Sequence, residues 1–297
     1  MPVAQILGRI YFFFRFFVDP TVKMWYDEGA KTSNRKEIEM GRYDGFLLCV
    51  DFDGTVAHKG KMVPENVEAI RRFEEEGGLF TICTGRQPAF MMSNPLPVRP
   101  NAPLLSMNGT ILYDMEREEI LRSWTSGREL WEWSEELFER YPEEITAIHY
   151  YTPECEPVLK RGENTPKDMR QYFDLPLYKV IVIVHSADSD RMLVKITEES
   201  GERYHVSRSW IKGIELQSPT SGKGVAVNTL REMLGDRVRT VVCAGDYEND
   251  ISMLRAADIS YAVGNAVPAV KAAATRQTID CSEGAIAKII EELATES

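Results

Sequence analysis

The sequence predicts an α/β protein whose core is a doubly wound, three-layer structure around a parallel sheet, with an α+β domain inserted into it. Unbroken apolar runs such as Phe46–Val50 are typical of strands buried on both faces, as in parallel sheets. Helical patterns alternate with these runs, which indicates a sheet covered by helices on both sides. A stretch of different composition, residues 123–212, interrupts the alternation and indicates the insertion.

The core elements follow one another in β-α-β order. After Phe46–Val50, a helix is expected over residues 64–76, because Pro64 suits a first helical position and Gly77 a helix end. A strand over 79–83 then returns parallel to the first one. Beyond the insertion, the sequence predicts strands at 240–244 and 259–263 and helices at 225–234, 249–256 and 284–293.

The inserted segment has the pattern of a small α+β domain with a mostly antiparallel sheet. Helical patterns cover residues 128–141, 165–173 and 190–199, and strand patterns cover 145–151, 178–185 and parts of 204–217. We therefore divide the chain into an N-terminal apolar helix with a linker (1–43), a discontinuous core (44–122 and 213–297) and an inserted domain (123–212).

Charge and cysteine content limit the classes of function. The chain of 297 residues has 35 basic and 46 acidic side chains, for a formal charge of −11, which argues against nucleic acid as a partner. A small phosphorylated molecule is compatible with this charge, because it needs only local positive charge. Three of the five cysteines lie inside predicted buried strands and no C-x-x-C occurs, so we expect a protein of the reducing cytoplasm.

Residues 6–18, ILGRIYFFFRFFV, form an apolar segment that is too short to span a bilayer and is interrupted by Arg9 and Arg15. The segment also lacks the basic start and the small-residue cleavage site of a signal peptide. We expect a helix that packs on the protein's own core or on a second subunit of a homo-oligomer. Peripheral contact with a membrane surface and disorder are the alternatives, and the polar residues 31–39 are expected to be a linker.

The most informative motif is Asp51-Phe52-Asp53-Gly54-Thr55, directly after the first predicted strand. Open α/β sheets bind their ligands at the carboxyl ends of the strands, which is where these two carboxylates lie. A hard divalent cation such as Mg²⁺ would relieve the repulsion between Asp51 and Asp53. Gly54 allows a sharp turn, and Thr55 offers a hydroxyl and an N–H group to an anion.

Three further motifs occur at the end of a strand or the start of a helix. They are Thr84-Gly85-Arg86 after the strand over 79–83, Lys223 at the start of a helical pattern, and Asp246-Tyr247-Glu248-Asn249-Asp250 after the strand over 240–244. Together the four motifs supply two acid pairs, a hydroxyl and a cation. A phosphoryl-transfer site needs this set: a nucleophile, a metal site and donors for the equatorial oxygens.

With these motifs in this order, the chain resembles the haloacid dehalogenase-like (HAD) phosphohydrolases, and within them the Cof-type branch. The matching segments are DFDGT, TGR, the lysine of SGKG and GDYENDISML, together with residues 105–110 and 262–266. The resemblance covers residues 44–295 and leaves residues 1–43 without a counterpart. It implies a HAD-like, Rossmannoid core and a large cap inserted between the second and third motifs.

The resemblance also implies the catalytic roles. Asp51 is expected to attack phosphorus and form an aspartyl-phosphate, and Asp53 to act as general acid and then as general base. Mg²⁺ is expected to bind the carboxylate of Asp51, the backbone oxygen of Asp53 and the carboxylate of Asp246. Lys223 is expected to neutralise phosphate charge and to pair with Asp51, and Asp250 to orient Lys223 or a metal-bound water.

The remaining candidates are expected to bind the phosphate or the rest of the substrate: Gly54, Thr84, Gly85, Arg86, Asn108 and Asn249. Thr84 is expected to donate a hydrogen bond to the phosphoryl group, with a helix N-cap as the alternative. Arg86 is expected to contact either the substrate's polar body or an acidic side chain at the surface. Asn108 forms either a substrate contact or only a tight turn, and Asn249 is expected to hydrogen-bond the phosphate.

The expected function is that of a cytoplasmic, Mg²⁺-dependent phosphomonoesterase acting on a small phosphorylated metabolite, such as a sugar phosphate or a cofactor phosphate. A phosphomutase on the same scaffold is the first alternative, because the sequence does not show whether water reaches the aspartyl-phosphate. A catalytically silent binding or regulatory protein is the second, although such a protein has no chemical need for both acid pairs. The sequence leaves open which cap residues contact the substrate.

Overall fold

The structure is a computed structural model that describes residues 41–94 and 96–295. The apolar segment 6–18 and the linker 31–39 expected from the sequence lie outside these residues. Within the described ranges, no helix combines the length and the apolar character that crossing a membrane requires.

The core sheet of the described chain consists of five parallel strands. They lie in the order β15 (Arg276–Gln277), β14 (Ile259–Ala262), β13 (Thr240–Gly245), β1 (Phe46–Val50) and β4 (Leu79–Ile82). Every neighbouring pair in this order is parallel. Parallel strands direct their carboxyl ends to the same edge, so the order β13-β1-β4 brings three of the predicted motifs together.

Helices cover both faces of this sheet and give the three predicted layers. The helices of the core are α1 (Pro64–Glu75), α2 (Pro88–Ser93), α6 (Lys223–Leu234), α7 (Ile251–Ala256), α8 (Pro268–Ala273) and α9 (Ala285–Leu293). Successive side chains of β1 alternate between two apolar clusters. Leu48 and Val50 pack with residues of α1 and α9, whereas Leu47 and Cys49 pack with residues of α6 and α7.

The inserted domain is an antiparallel sheet with helices on one face. Its strands lie in the order β11 (His205–Trp210), β12 (Gly213–Gln217), β10 (Lys179–Val184), β8 (Ile145–Tyr151) and β9 (Val158–Lys160), and its helices are α3 (Arg128–Arg140), α4 (Pro166–Met169) and α5 (Ser189–Ser200). Trp131 of α3 stacks on Tyr150 of β8 with ring centroids 4.3 Å apart. The opposite face of the sheet contacts the core, so this domain covers it as a cap.

The cap sheet continues beyond the boundary expected at residue 212. β12 pairs antiparallel with both β10 and β11, so Gly213–Gln217 is an integral strand of the cap. We therefore propose that the cap ends after Gln217 and that the core resumes before Lys223.

Several short elements of the core were not predicted from the sequence. They include a three-stranded antiparallel sheet, β5 (Leu104–Ser106), β6 (Ile111–Asp114) and β7 (Glu119–Ser123), and a small hairpin, β2 (Ala57–His58) and β3 (Lys61–Met62). Helices α2 and α8 and strand β15 were also not predicted. Helix α6 begins two residues earlier than expected, at Lys223. The helix expected over 249–256 begins as a 3₁₀ turn, Glu248–Asp250, and becomes α-helical only at Ile251.

Candidate active site

The four predicted motifs meet at the carboxyl edge of the core sheet. Asp51 directly follows β1, Asp246 directly follows β13, and Thr84 lies two residues after β4. These three residues line a cavity of about 560 Å³ between the core and the cap. Lys223, the first residue of α6, reaches Asp51 from beneath this cavity.

Lys223 is held between two carboxylates. Its Nζ lies 2.6 Å from Oδ1 of Asp51 and 2.6 Å from Oδ1 of Asp250, and it donates to both. The side chain of Lys223 is 0% exposed. Burial opposes the charge of the ammonium group, but Asp250 and Asp51 outweigh this effect and raise the pKa of Lys223. The arrangement fixes the carboxylate of Asp51 and keeps a permanent positive charge beside it.

Asp250 has partners for both of its carboxylate oxygens. Oδ2 accepts hydrogen bonds from the backbone N–H of Asp246 at 2.9 Å and of Tyr247 at 3.1 Å, while Oδ1 accepts from Lys223. The same contacts cap the 3₁₀ turn Glu248–Asp250. This geometry suits a residue that orients Lys223 rather than one that binds a metal directly, and that role remains a proposal.

The acidic cluster fits a divalent cation. One oxygen each of Asp51, Asp246 and Asp250 lies within 4.8 Å of the others. Burial and the neighbouring Asp250 carboxylate raise the pKa of Asp246 to about 7, and a cation would relieve this unfavourable concentration of negative charge. Gly54 provides the space, because a Cβ at this position would lie 2.4 Å from Oδ2 of Asp246. Gly54 also has a φ of +87°, a conformation that other residues rarely adopt.

Asp53 and Arg86 form a bidentate pair at the mouth of the cavity. Arg86 donates from Nε to Oδ2 of Asp53 at 2.8 Å and from Nη2 to Oδ1 at 3.1 Å. The guanidinium carbon of Arg86 also lies 4.3 Å from the ring centroid of Phe90. The structure therefore shows Arg86 paired with an acid, and this acid is the predicted general acid of the reaction. Contact between Arg86 and a substrate remains a prediction.

Thr84 is buried at the end of β4 and does not cap a helix. Its Oγ1 accepts a hydrogen bond from the backbone N–H of Arg86 at 3.1 Å, and α2 begins only at Pro88. The helix N-cap alternative is therefore wrong. The next residue, Gly85, links this loop to the cap, because its backbone oxygen accepts a hydrogen bond from Nζ of Lys179 at 3.1 Å.

Asn108 and Asn249 meet beside the cavity and contact the cap. Asn108 lies in a 3₁₀ turn with a left-handed φ of 57°, so the predicted tight turn is present. Its Nδ2 donates to Oγ of Ser209 at 2.9 Å and to Oε2 of Glu215 at 2.7 Å. Nδ2 of Asn249 donates to Oδ1 of Asn108 at 3.1 Å. The partners observed for both amides belong to the protein itself, and contact with a phosphate remains a prediction.

The cap supplies cavity residues that the sequence did not identify: Tyr151, Lys179, Ile181, Ser209, Trp210 and Glu215. Tyr150 packs inside the cap, whereas the next residue, Tyr151, lines the cavity. Lys179 and Glu215 are almost fully buried and form an ion pair, with Nζ 3.1 Å from Oε2. A single charged residue in an otherwise apolar strand was the signal that could have identified them, because a buried charge needs a partner.

A second ion pair connects the cap to the fourth motif. Arg208 of β11 donates to both carboxylate oxygens of Glu248, with Nε–Oε2 at 2.6 Å and Nη2–Oε1 at 2.5 Å. The Nη1 group of the same guanidinium donates to Oδ1 of Asp190 in the cap at 2.5 Å. Strand β11 therefore contacts the loop that carries Asp246 and Asn249.

A family profile and two related proteins assign the chain to the same protein family. A profile of the haloacid dehalogenase-like hydrolases matches residues 48–290. The pyridoxal phosphate phosphatase YbhA of Escherichia coli (strain K12) is 25% identical over 267 residues, covering 82% of this chain and 97% of that protein. The 5-amino-6-(5-phospho-D-ribitylamino)uracil phosphatase YwtE of Bacillus subtilis (strain 168) is 25% identical over 298 residues, covering 83% of this chain and 97% of that protein.

A solved structure shows the same fold. A haloacid dehalogenase-like hydrolase from B. subtilis superposes with a TM-score of 0.69 at 20% identity, over 83% of this chain and 99% of that one. Its likeness covers the parallel core and the inserted cap together. The chain therefore belongs to the haloacid dehalogenase-like hydrolases, as a phosphatase-type enzyme of that family, and the resemblance drawn from its four motifs is confirmed.

Proposed function

We propose that the protein is a Mg²⁺-dependent phosphomonoesterase that hydrolyses a small phosphorylated metabolite through an aspartyl-phosphate on Asp51. The observation that carries this proposal is the buried 2.6 Å contact between Lys223 and Asp51, next to acids that fit a cation. A nucleophilic carboxylate, a fixed positive charge and candidate metal ligands thus surround one point of the cavity. YbhA and YwtE, whose names describe phosphatases of small phosphorylated metabolites, support the same class of substrate.

In the first step, the carboxylate of Asp51 attacks phosphorus and the bond from phosphorus to the ester oxygen breaks. The leaving alkoxide takes a proton from the carboxyl group of Asp53. Lys223 and the hydroxyl of Thr84 stabilise the negative charge on the phosphoryl oxygens. Arg86 holds both oxygens of Asp53 in this structure, and a bound phosphate dianion would compete for the guanidinium and release Asp53.

In the second step, water attacks the phosphorus of the aspartyl-phosphate while Asp53 accepts a proton from it. This step releases inorganic phosphate and restores the carboxylate of Asp51. Asp250 keeps Lys223 and the backbone of Asp246 in place during both steps. Bound Mg²⁺, held by the carboxylates of Asp51 and Asp246 and the backbone oxygen of Asp53, would supply charge neutralisation for the phosphoryl oxygens.

The site suits a metabolite rather than a macromolecule. The cap covers the catalytic edge, and a cavity of about 560 Å³ is of the size that encloses small molecules. The formal charge of −11 gives no support to a nucleic-acid substrate. The reducing cytoplasm is the proposed location, because all five cysteines are free thiols.

A phosphate-release assay over a panel of phosphomonoesters tests this proposal. Asp51→Asn keeps the shape of the side chain but removes the nucleophile, so turnover should fall to background, and a chelator should silence the unmodified protein until Mg²⁺ is restored. Asp236→Asn, which changes an exposed acid in the turn after α6, is the matched control. Undiminished turnover by Asp51→Asn would contradict the mechanism. Phosphoryl transfer between positions of one substrate, without release of phosphate, would identify a mutase instead.

A further inference from the structure

The two ends of the catalytic cavity differ in chemistry. Asp51, Thr84 and Asp246 line the end where the phosphoryl group is expected. The wall formed by the cap carries larger side chains, among them Tyr151, Ile181 and Trp210. The part of the substrate that leaves with the ester oxygen must lie along this wall, so the wall determines which leaving groups fit.

The polar groups of this wall already bind one another. Lys179 donates to the backbone oxygen of Gly85 and to Glu215, both at 3.1 Å. Glu215 also accepts from Asn108 at 2.7 Å and from Ser209 at 2.5 Å. A polyhydroxylated leaving group needs unpaired donors and acceptors in the wall. This mutually bonded cluster offers few of them, which leaves aromatic and apolar surfaces to contact the substrate.

The indole ring of Trp210 packs directly against the backbone of Gly213. A Cβ built on Gly213 would lie 2.5 Å from Cη2 and 2.5 Å from Cζ2 of the indole. The close approach of the ring, rather than an unusual backbone angle, therefore favours glycine here, because a larger residue would displace the indole. Trp210 is also 41% exposed and lines the cavity, so part of the indole is accessible to a substrate. The β11–β12 hairpin thus holds an aromatic ring at the cavity wall.

Tyr151 contributes a second aromatic ring with an unused hydroxyl. Nζ of Lys179 lies 5.3 Å from the centroid of this ring and helps to position it. Within the described residues, the hydroxyl of Tyr151 has no hydrogen-bond partner, so it can donate to a ring nitrogen or ring hydroxyl of the substrate. Burial, with the nearby charges of Glu156 and Glu215, raises the pKa of Tyr151 to about 12, so the hydroxyl keeps its proton.

We propose that Trp210, packed against Gly213, is a stacking platform for a planar aromatic or heteroaromatic leaving group. The preferred substrate is then a phosphate ester whose leaving group carries a planar ring, rather than a hexose phosphate. This inference rests on the proposed function, because it names the substrate class of the same site. Stacking between aromatic rings adds to affinity beyond simple burial, whereas a puckered saturated ring gains only the burial.

Two esters that differ only in the ring test the platform. Benzyl phosphate and cyclohexylmethyl phosphate both leave as primary alcohols of similar size, but only benzyl phosphate carries a planar π system. The unmodified protein should prefer benzyl phosphate by about 3- to 10-fold in kcat/KM, the range expected for one aromatic contact. Trp210→Ala should bring this ratio close to one, and Trp210→Phe should retain most of it.

Gly213→Ala tests the contact between Gly213 and the indole without removing the tryptophan. The added methyl group should displace the indole and lower the benzyl-to-cyclohexylmethyl ratio as Trp210→Ala does. Ile211→Ala is the matched control, because Ile211 lies on the same hairpin, is exposed and does not line the cavity. A melting curve for each variant separates loss of the platform from loss of the fold.

Acetyl phosphate, which carries no ring, separates this inference from the proposed function. Hydrolysis of acetyl phosphate together with equal kcat/KM for the two ring esters would overturn the stacking platform and leave the phosphatase in place. If no ester is hydrolysed, tryptophan fluorescence with benzylphosphonate decides. Quenching that is lost in Trp210→Phe supports the platform, and binding without quenching, or no binding, overturns it. Equal effects of Trp210→Ala and Ile211→Ala on the ratio would also overturn it.

Discussion

Asp51 and Asp53 are two residues apart but lie in different surroundings, which matches the different roles proposed for them. Asp51 is buried against Lys223, whereas Asp53 is about half exposed and paired with Arg86 at the mouth of the cavity. A nucleophile needs a fixed position, and a proton donor needs access to the leaving group and to water. Sequence alone predicts both acids, but it does not show that Arg86 binds Asp53 before a substrate arrives.

The first prediction concerns Asp53→Asn. Removing proton transfer should lower kcat for an alkyl phosphate by about 10²- to 10⁴-fold. Release of the first product from p-nitrophenyl phosphate should suffer much less, because nitrophenolate leaves without a proton. Single-turnover measurements on both esters give the comparison. An equal loss with both esters would argue against Asp53 as the general acid.

The second prediction concerns Lys223, the buried cation of the site. Lys223→Met leaves the carboxylates of Asp51 and Asp250 buried without their shared partner. Breaking a buried pair in this way costs about 3–5 kcal/mol, so the urea midpoint should fall sharply and turnover should disappear. Lys288→Met is the control, because that lysine is exposed and paired with Glu291 at the surface. It should leave the urea midpoint nearly unchanged, because exposed ion pairs contribute little to stability.

Strand β11 is the element that most directly joins the cap to the catalytic loop. Arg208 binds Glu248, and Ser209 accepts from Asn249 at 3.2 Å, so two successive residues of the strand contact the fourth motif. The loop is held from its own side by Asp250 and from the cap side by β11. The position of Asp246, the proposed metal ligand, therefore depends on both.

The third prediction follows from this contact. Glu248→Gln weakens the pair with Arg208 without altering any proposed metal ligand, and should raise the Mg²⁺ concentration needed for half-maximal activity by about 10-fold. The rate at saturating Mg²⁺ should change little. Asp190→Asn removes another acid from the same guanidinium but does not touch the loop. A Mg²⁺ requirement that shifts equally in both variants would show that β11 does not position Asp246.

The strands that were predicted correctly differ from those that were missed in how clearly apolar residues mark them in the sequence. β1 and β13 are apolar runs that end at a charged motif. Such runs are typical of strands that are buried on both faces of a parallel sheet. β7, Glu119–Ser123, has no fully buried residue, so its sequence carries no periodic signal. Its pairing with β6 is a tertiary contact that local patterning does not encode.

The cap side of the site could not be predicted for a related reason. β10, Lys179–Val184, is apolar on both faces, so alternation does not show which side chains point to the helices and which to the cavity. Its first residue, Lys179, faces the core because its register with Glu215 and the loop at Gly85 offers it partners. These two partners are distant from Lys179 in the sequence, and their proximity becomes visible only in the folded structure.

The fourth prediction is that the stability of the whole molecule depends on the metal, because three acidic side chains lie close together at the catalytic site. With Mg²⁺ at 100 times its dissociation constant, binding should raise the melting temperature by about 5–10 °C. Asp246→Asn should abolish this rise. It should also raise the melting temperature of the metal-free protein, because burial and Asp250 disfavour the charge of Asp246. Thermal scans with chelator and with Mg²⁺ give both comparisons, and an unchanged Mg²⁺ effect in Asp246→Asn would exclude it as a ligand.

The last prediction concerns residues 1–40, which precede every proposed catalytic residue. Five phenylalanines between positions 12 and 17 present more aromatic surface than a protein normally leaves in water, so we expect the segment to pack against protein or lipid. Removing residues 1–40 should therefore lower solubility or change the mass in solution, while kcat/KM stays the same. Light scattering and vesicle co-sedimentation of both forms distinguish the partners. Vesicle binding that is lost on truncation, with no change in mass, would favour the membrane over the protein contact, since Arg9 and Arg15 could then meet anionic lipid.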